Sequence, residues 1–209
     1  LSFIFIPQGY IKNIGAIYSN TGFINEKLND LRLKNNLDIL FVGSSITYRG
    51  INPNIFIKKG KNSFNIGTSN QTPKNSYLIL KMIIEDEIKI KQLFLEVSPL
   101  TISSDGIESL VDIISHTPKF NKNFLELVYK FKSIKVYNAL IYSLLKFKFG
   151  IKNIWEEKTI EYSNKGDYYF ENGFVANFDT CKNDLHDSLA LELDNILIEQ
   201  LGYIDSIKN

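Results

Sequence analysis

Short unbroken apolar runs alternate along the chain with longer stretches in which apolar residues recur every three or four positions, the pattern of strands joined by helical crossovers. The first run, Ile39-Leu40-Phe41-Val42, is stopped by Gly43-Ser44-Ser45. It predicts a buried parallel strand ending in a tight turn, with hydroxyls at its C-terminal lip. Ser63-Phe64-Asn65-Ile66 repeats the arrangement and stops at Gly67-Thr68-Ser69-Asn70-Gln71; Lys91 to Pro99 gives a third strand with Glu96 and Ser98 at its end. Between them, Asn52-Pro53 and Thr72-Pro73 each set a capping side chain before a proline at the first helical position. They open a short helix over Ile55 to Lys59, closed by Gly60, and a longer one with Tyr77, Leu78, Leu80, Ile83 and Ile84 on its apolar face. Three strands so connected predict an α/β fold with a parallel sheet whose polar lips converge.

The flanks read differently. Gly15 to Asn36 is a connecting segment with one surface helix. Beyond Leu100, Asp105 and Glu108 have capping-box spacing before a helix over Ile107 to Ile114, and two further helices follow over Phe124 to Phe131 and Val136 to Phe149, ended by Gly150. Their Phe, Tyr and Leu stripes read as core, and Lys132, Lys135, Lys146, Lys148 and Lys152 as a solvated face. Ile160-Glu161-Tyr162, Asp167-Tyr168-Tyr169-Phe170 and Gly173-Phe174-Val175, with Asn172-Gly173 between the last two, predict a small hairpin excursion. From a cap at Asn183-Asp184, one long amphipathic helix runs through Leu185 and Leu189 to Ile204. Residues 1–11 carry no charge and open on Leu1-Ser2-Phe3-Ile4-Phe5-Ile6; they are either the end of a membrane anchor or signal segment, or a short strand docked on the core. The organisation is therefore 1–11 anchor end, 12–36 connection, and one domain over 37–209. Within that domain 37–99 is the core, 100–182 a mostly helical insertion and 183–209 the long helix.

Composition narrows the function. At 209 residues, 44% hydrophobic and 22% charged, the chain buries one core. A net charge of +1 with acids and bases interleaved gives no footprint for nucleic acid. The single cysteine, Cys181, cannot form an intrachain disulfide. No His/Cys cluster has metal-ligand spacing, and no glycine-rich nucleotide motif is present, so neither metal nor cofactor is expected. His116, in Ser115-His116-Thr117-Pro118, reads as a solvated helix end. What remains is the serine turn. A serine held just after a strand, beside free backbone N–H groups, is placed as a nucleophile with part of an oxyanion hole. Ser44 and Ser45 are equally placed to cap the following helix. Asn70 lies close enough along the second lip to add a side-chain amide.

Gly43-Ser44-Ser45, Asn65-Ile66-Gly67 and Leu95-Glu96-Val97-Ser98-Pro99 resemble the first three blocks of the SGNH/GDSL hydrolase superfamily. The likeness is closest to a membrane-anchored bacterial branch with Gly-Ser-Ser in the first block, followed here by Arg49-Gly50-Ile51-Asn52-Pro53; it covers Asp38 to Pro99. It implies a flavodoxin-like three-layer sandwich, Ser45 as nucleophile, and the N–H groups of Ser45 and Gly67 as oxyanion donors. Ser44 stands where the family has aspartate, and Glu96 and Ser98 where it has Gly-x-Asn-Asp; both serines are counted with Gly67 and Asn70 as the substrate-binding lip. The family's Asp-x-x-His base pair has one candidate, Asn183-Asp184-Leu185-His186. Either Asp184 orients His186, or Asp184 caps the last helix and the C-terminal strands, with the catalytic His and Asp, are expected beyond Asn209. The implied activity is a serine esterase or O-acyltransferase acting on ester-linked acyl groups of cell-envelope polysaccharide, tethered to the membrane with its domain extracytoplasmic. Two alternatives stay open: a non-catalytic SGNH-like accessory or binding domain, and an unrelated flavodoxin-like module whose serine lip holds phosphate or carboxylate.

Overall fold

The computed structural model describes residues 21–150, 166–178 and 195–208. Helix α1 (Ile24–Arg32) precedes strand β1 (Asn36–Val42), which is followed by α2 (Ser45–Gly50), α3 (Asn54–Ile57), β2 (Ser63–Asn65), α4 (Pro73–Glu85) and β3 (Lys89–Leu95). Four helices follow: α5 (Pro99–Ile102), α6 (Ile107–Ser115), α7 (Lys122–Tyr129) and α8 (Ile134–Lys148). A hairpin of β4 (Asp167–Phe170) and β5 (Phe174–Asn177) and a last helix, α9 (Asn195–Lys208), complete the described residues. Among these, no helix is long and apolar enough to cross a membrane.

β1, β2 and β3 form one parallel sheet in the order β2-β1-β3, so the run that ends in the serine turn is the central strand. Leu40 pairs with Phe64 on one side and Leu93 on the other. Side chains alternate across the sheet. Leu40 and Val42 join Phe64 and Ile66 in a core completed by Leu78, Ile79 and Ile83 of α4 and Leu110, Ile113 and Ile114 of α6. Full burial of each such side chain contributes about 1.5–3 kcal/mol. On the opposite face Phe41 packs between Phe56 of α3 and Phe94 of β3, with ring centroids 5.2 and 5.4 Å away. That face is thinly covered at the β3 side: Phe94 remains 53% exposed, with Val97 and Leu100 similarly open just beyond. No described strand pairs with the outer edge of β3.

The α/β class and parallel sheet agree with the sequence pattern, and several boundaries move for local reasons. β1 starts at Asn36 and β3 at Lys89, upstream of their apolar runs, because Lys89 N–H already reaches the Asn35 carbonyl. β3 stops at Leu95, and Ser98 turns the chain into α5 as its N-cap in a full capping box with Thr101. Before α6, Gly106 takes the N-cap position at φ +67°, packed so closely on Thr72 and Asn75 that a β-carbon would overlap them. Asp105 accepts the Ile107 N–H rather than pairing with Glu108 in a box. His116 is half-buried, not solvated: its Nδ1 lies 2.9 Å from the Asp112 carbonyl, and burial pushes the imidazole below its usual value.

The hairpin forms where Asn172-Gly173 marked it, as an antiparallel pair with Phe170 opposite Phe174. Its tip docks on β2. Asn172, at φ +66°, donates to Asn54 Oδ1 and accepts from Lys34 Nζ. Arg49 of α2 grips Asp167 through two bonds of 2.9 and 2.7 Å. Burial alone would raise the Asp167 carboxyl; the bonds from Arg49 and Asn177 outweigh it and hold the group below its usual value. Gly173, at φ +92°, lies against the Asn65 carbonyl, where a β-carbon would overlap the oxygen. Gly173→Ala is therefore expected to cost at least about 2 kcal/mol through backbone strain and forced separation of the tip from β2. A urea titration reads this as a lower midpoint for the variant, and an unchanged midpoint would show that the tip is not docked.

Candidate functional site

The site is the C-terminal lip of β1, between the ends of β2 and β3. Main-chain bonds run past the strands themselves: Ile66 N–H to Phe41 O at 2.9 Å, Thr68 N–H to Gly43 O at 3.0 Å and Glu96 N–H to Val42 O at 2.9 Å. Three chain ends are thus held side by side as each begins to turn. Two absent β-carbons permit it. One at Gly67 would sit 2.9 Å from the Gly43 carbonyl oxygen and 3.1 Å from that of Ser44; one at Gly43 would sit 2.5 Å from Glu96 Cβ and also overlap Thr47.

The two serines of the turn differ in their partners. Ser44 is the N-cap of α2: its Oγ accepts the Ile46 N–H at 3.2 Å, and its carbonyl accepts the N–H groups of Thr47 and Tyr48. It is buried and fully engaged. Ser45 is the first residue of α2, half-buried, and no described residue bonds its hydroxyl or its N–H. At this position in a helix the N–H has no intrahelical acceptor.

A carboxylate from the third lip reaches across. Glu96 accepts the Ser44 N–H at 2.7 Å, the Ser44 hydroxyl at 2.8 Å and the Thr47 hydroxyl at 2.6 Å. Hydrogen bonds to a charged acceptor contribute roughly 1.5–3 kcal/mol each. From the second lip Asn65, fully buried, donates to the carbonyls of Thr47 and Ile51 at 2.9 and 3.0 Å. Helix α2 is consequently held at its start by β3 and along its length by β2.

The remaining lip residues are placed differently from expectation. The Gly67 N–H, expected to face an oxyanion, donates to Asn65 Oδ1 at 3.0 Å. Asn70, at φ +52°, gives its amide to the Ser104 hydroxyl at 3.0 Å. The Ser98 hydroxyl is spent on the cap of α5. Asp184 and His186 lie outside the described residues, as do Cys181 and residues 1–11. His116 caps the far end of α6; the Gly106 end is the one that packs against Thr72. A groove of about 390 Å³ lies elsewhere, between α4, α9 and β3, lined by Tyr77, Leu80, Ile84, Ile90, Leu93 and Ile207. Among the described residues no group of His, Cys, Asp and Glu is placed to hold a metal ion.

Beneath the lip sits Lys27 of α1, fully buried. Its Nζ donates to the Gly67 carbonyl at 2.6 Å and lies 4.1 Å from the centre of the Tyr48 ring. The sequence carried a signal for it: Ile24, Lys27, Leu28 and Leu31 have the spacing of one helix face, and Lys27 occupies that buried stripe. Burial, reinforced by the nearby Arg49 charge and only partly offset by Glu26, holds the ammonium well below its usual 10.5. A base with a lowered folded-state value leaves the unfolded chain binding more protons, so its burial penalty is lifted as pH rises from that value towards 10.5.

The urea midpoint of the wild-type chain should accordingly rise between neutral and alkaline pH relative to Lys27→Met, by up to about 1.4 kcal/mol for each pH unit in the window. Equal pH dependence in the two proteins would show that burial does not lower Lys27. The site rests on geometry, since no family model, curated protein or solved structure matches this chain.

Proposed function

We propose that this chain is a serine esterase or O-acyltransferase domain of SGNH type, with Ser45 as nucleophile. One observation carries the reading: of two adjacent hydroxyls at the lip of the central strand, Ser44 is locked by Glu96 and the Ile46 N–H, while Ser45 is presented with its hydroxyl and N–H uncommitted among the described residues. A nucleophile must be rigidly placed yet unblocked, and a free N–H beside it can stabilise a developing oxyanion. Ser45 Oγ adds to the acyl carbon and gives its proton to the departing alcohol through a base. The acyl group then passes from Ser45 to water or to a sugar hydroxyl. Ester-linked acyl groups of envelope polysaccharide are the proposed substrate class, and the uncharged residues 1–11 the end of the proposed membrane tether.

The committed Gly67 N–H and Asn70 amide favour a second reading, a non-catalytic lip of the same fold that binds an acylated glycan. Labelling with a fluorophosphonate, followed by peptide mapping, separates the two. The esterase reading expects modification at Ser45 and, in Ser45→Ala, loss of labelling together with loss of p-nitrophenyl acetate turnover. Absence of label, or turnover that survives Ser45→Ala, would sink it in favour of the binding lip.

A further inference from the structure

We infer that Glu96 is the positioning residue for Ser45, acting through the turn rather than on the substrate; this rests on Ser45 being the nucleophile. Glu96 lies one residue past β3, its N–H fixed to Val42 O at 2.9 Å, so its Cα position is set by the sheet. Its carboxylate crosses to β1 and takes donors from both sides of Ser45: the N–H and hydroxyl of Ser44 before it, and the hydroxyl of Thr47 two residues after. Ser45 itself is left out of this set.

Two features mark the contact as built for the turn. Gly43 leaves room for it, since a β-carbon there would lie 2.5 Å from Glu96 Cβ and 2.6 Å from its Oε2. The Ser44 hydroxyl, in donating to Glu96, turns its lone pairs towards the Ile46 N–H that it caps. One carboxylate therefore fixes the backbone immediately before Ser45, the Ser44 side chain that caps α2 through the Ile46 N–H, and the Thr47 side chain in its first turn. Remove the charge and Ser44 N–H faces an amide that offers one oxygen in place of two.

The test compares wild type, Glu96→Gln, Thr47→Val and Val97→Ala, the last an exposed neighbour on the same lip, by rate of Ser45 phosphonylation and by amide exchange at Ser44. Glu96→Gln should label about tenfold or more slowly, and its Ser44 amide should exchange about 100-fold faster. Val97→Ala should match wild type. Wild-type labelling at Ser45 that Glu96→Gln leaves unslowed, with the variant folded, overturns the role of Glu96 and keeps the nucleophile. Wild-type chain that does not label at Ser45 overturns the nucleophile and the positioning role with it. If Glu96→Gln fails to fold, Thr47→Val decides: it keeps the charge and removes one donor, and labelling several-fold slower supports the inference, whereas an unchanged rate rejects it.

Discussion

Thr68 N–H meets the Gly43 carbonyl at 3.0 Å, and on this contact the geometry of the lip depends. Parallel strands usually separate as their chains turn into helices, and ligand sites form in the gap. Here the bonding continues to Thr68, three residues past β2, and to Glu96, one past β3, so the turns themselves are stacked. Gly67 can approach two carbonyl oxygens only without a side chain. The close approach leaves room for Glu96 and Asn65 to reach α2, and it makes the lip a product of main-chain spacing before any side chain acts.

That spacing has an electrostatic cost placed below it. Lys27 spends its Nζ on the Gly67 carbonyl, on the side of the second lip away from solvent. A buried ammonium is unfavourable, and a carbonyl dipole and the face of Tyr48 offset the cost only in part, since burial still holds Lys27 well below its usual value. Around it lies a buried polar layer: Thr68 bonds Gln71 and Ser109, and Gln71 donates to Ser76. The start of α4 is tied in as well, where Gln200 of α9 accepts the Lys74 N–H and donates to the Ser104 carbonyl. Such a layer stabilises the fold less than hydrocarbon would, but it admits few alternative packings.

Much of this architecture is legible in the residues. Ile39 to Val42 before Gly43, and Thr72 before Pro73, are local signals, and local physics decides them: an apolar run buries, and a cap followed by proline starts a helix. Asn172-Gly173 likewise marks a turn because Asn and Gly tolerate positive φ. The partners of the lip are a different matter. Whether the Gly67 N–H faces solvent or Asn65 depends on one side-chain torsion, and Glu96 meets Ser44 across 52 positions of sequence. Ser98 has the same composition signal whether it lines a site or caps a helix, and only the capping box with Thr101 separates the two.

The sheet's two flanks are finished in opposite ways. Beside β2, the hairpin tip covers the strand end, with Gly173 against Asn65 and Asn172 against Asn54. Beside β3 no described strand lies, and Phe94, Val97 and Leu100 stand open along and just past it. Among the described residues, the outer edge of β3 is therefore an open place for a further strand, whichever polypeptide provides it. It would then run past Glu96, so that whatever completes the sheet also becomes a neighbour of the serine turn.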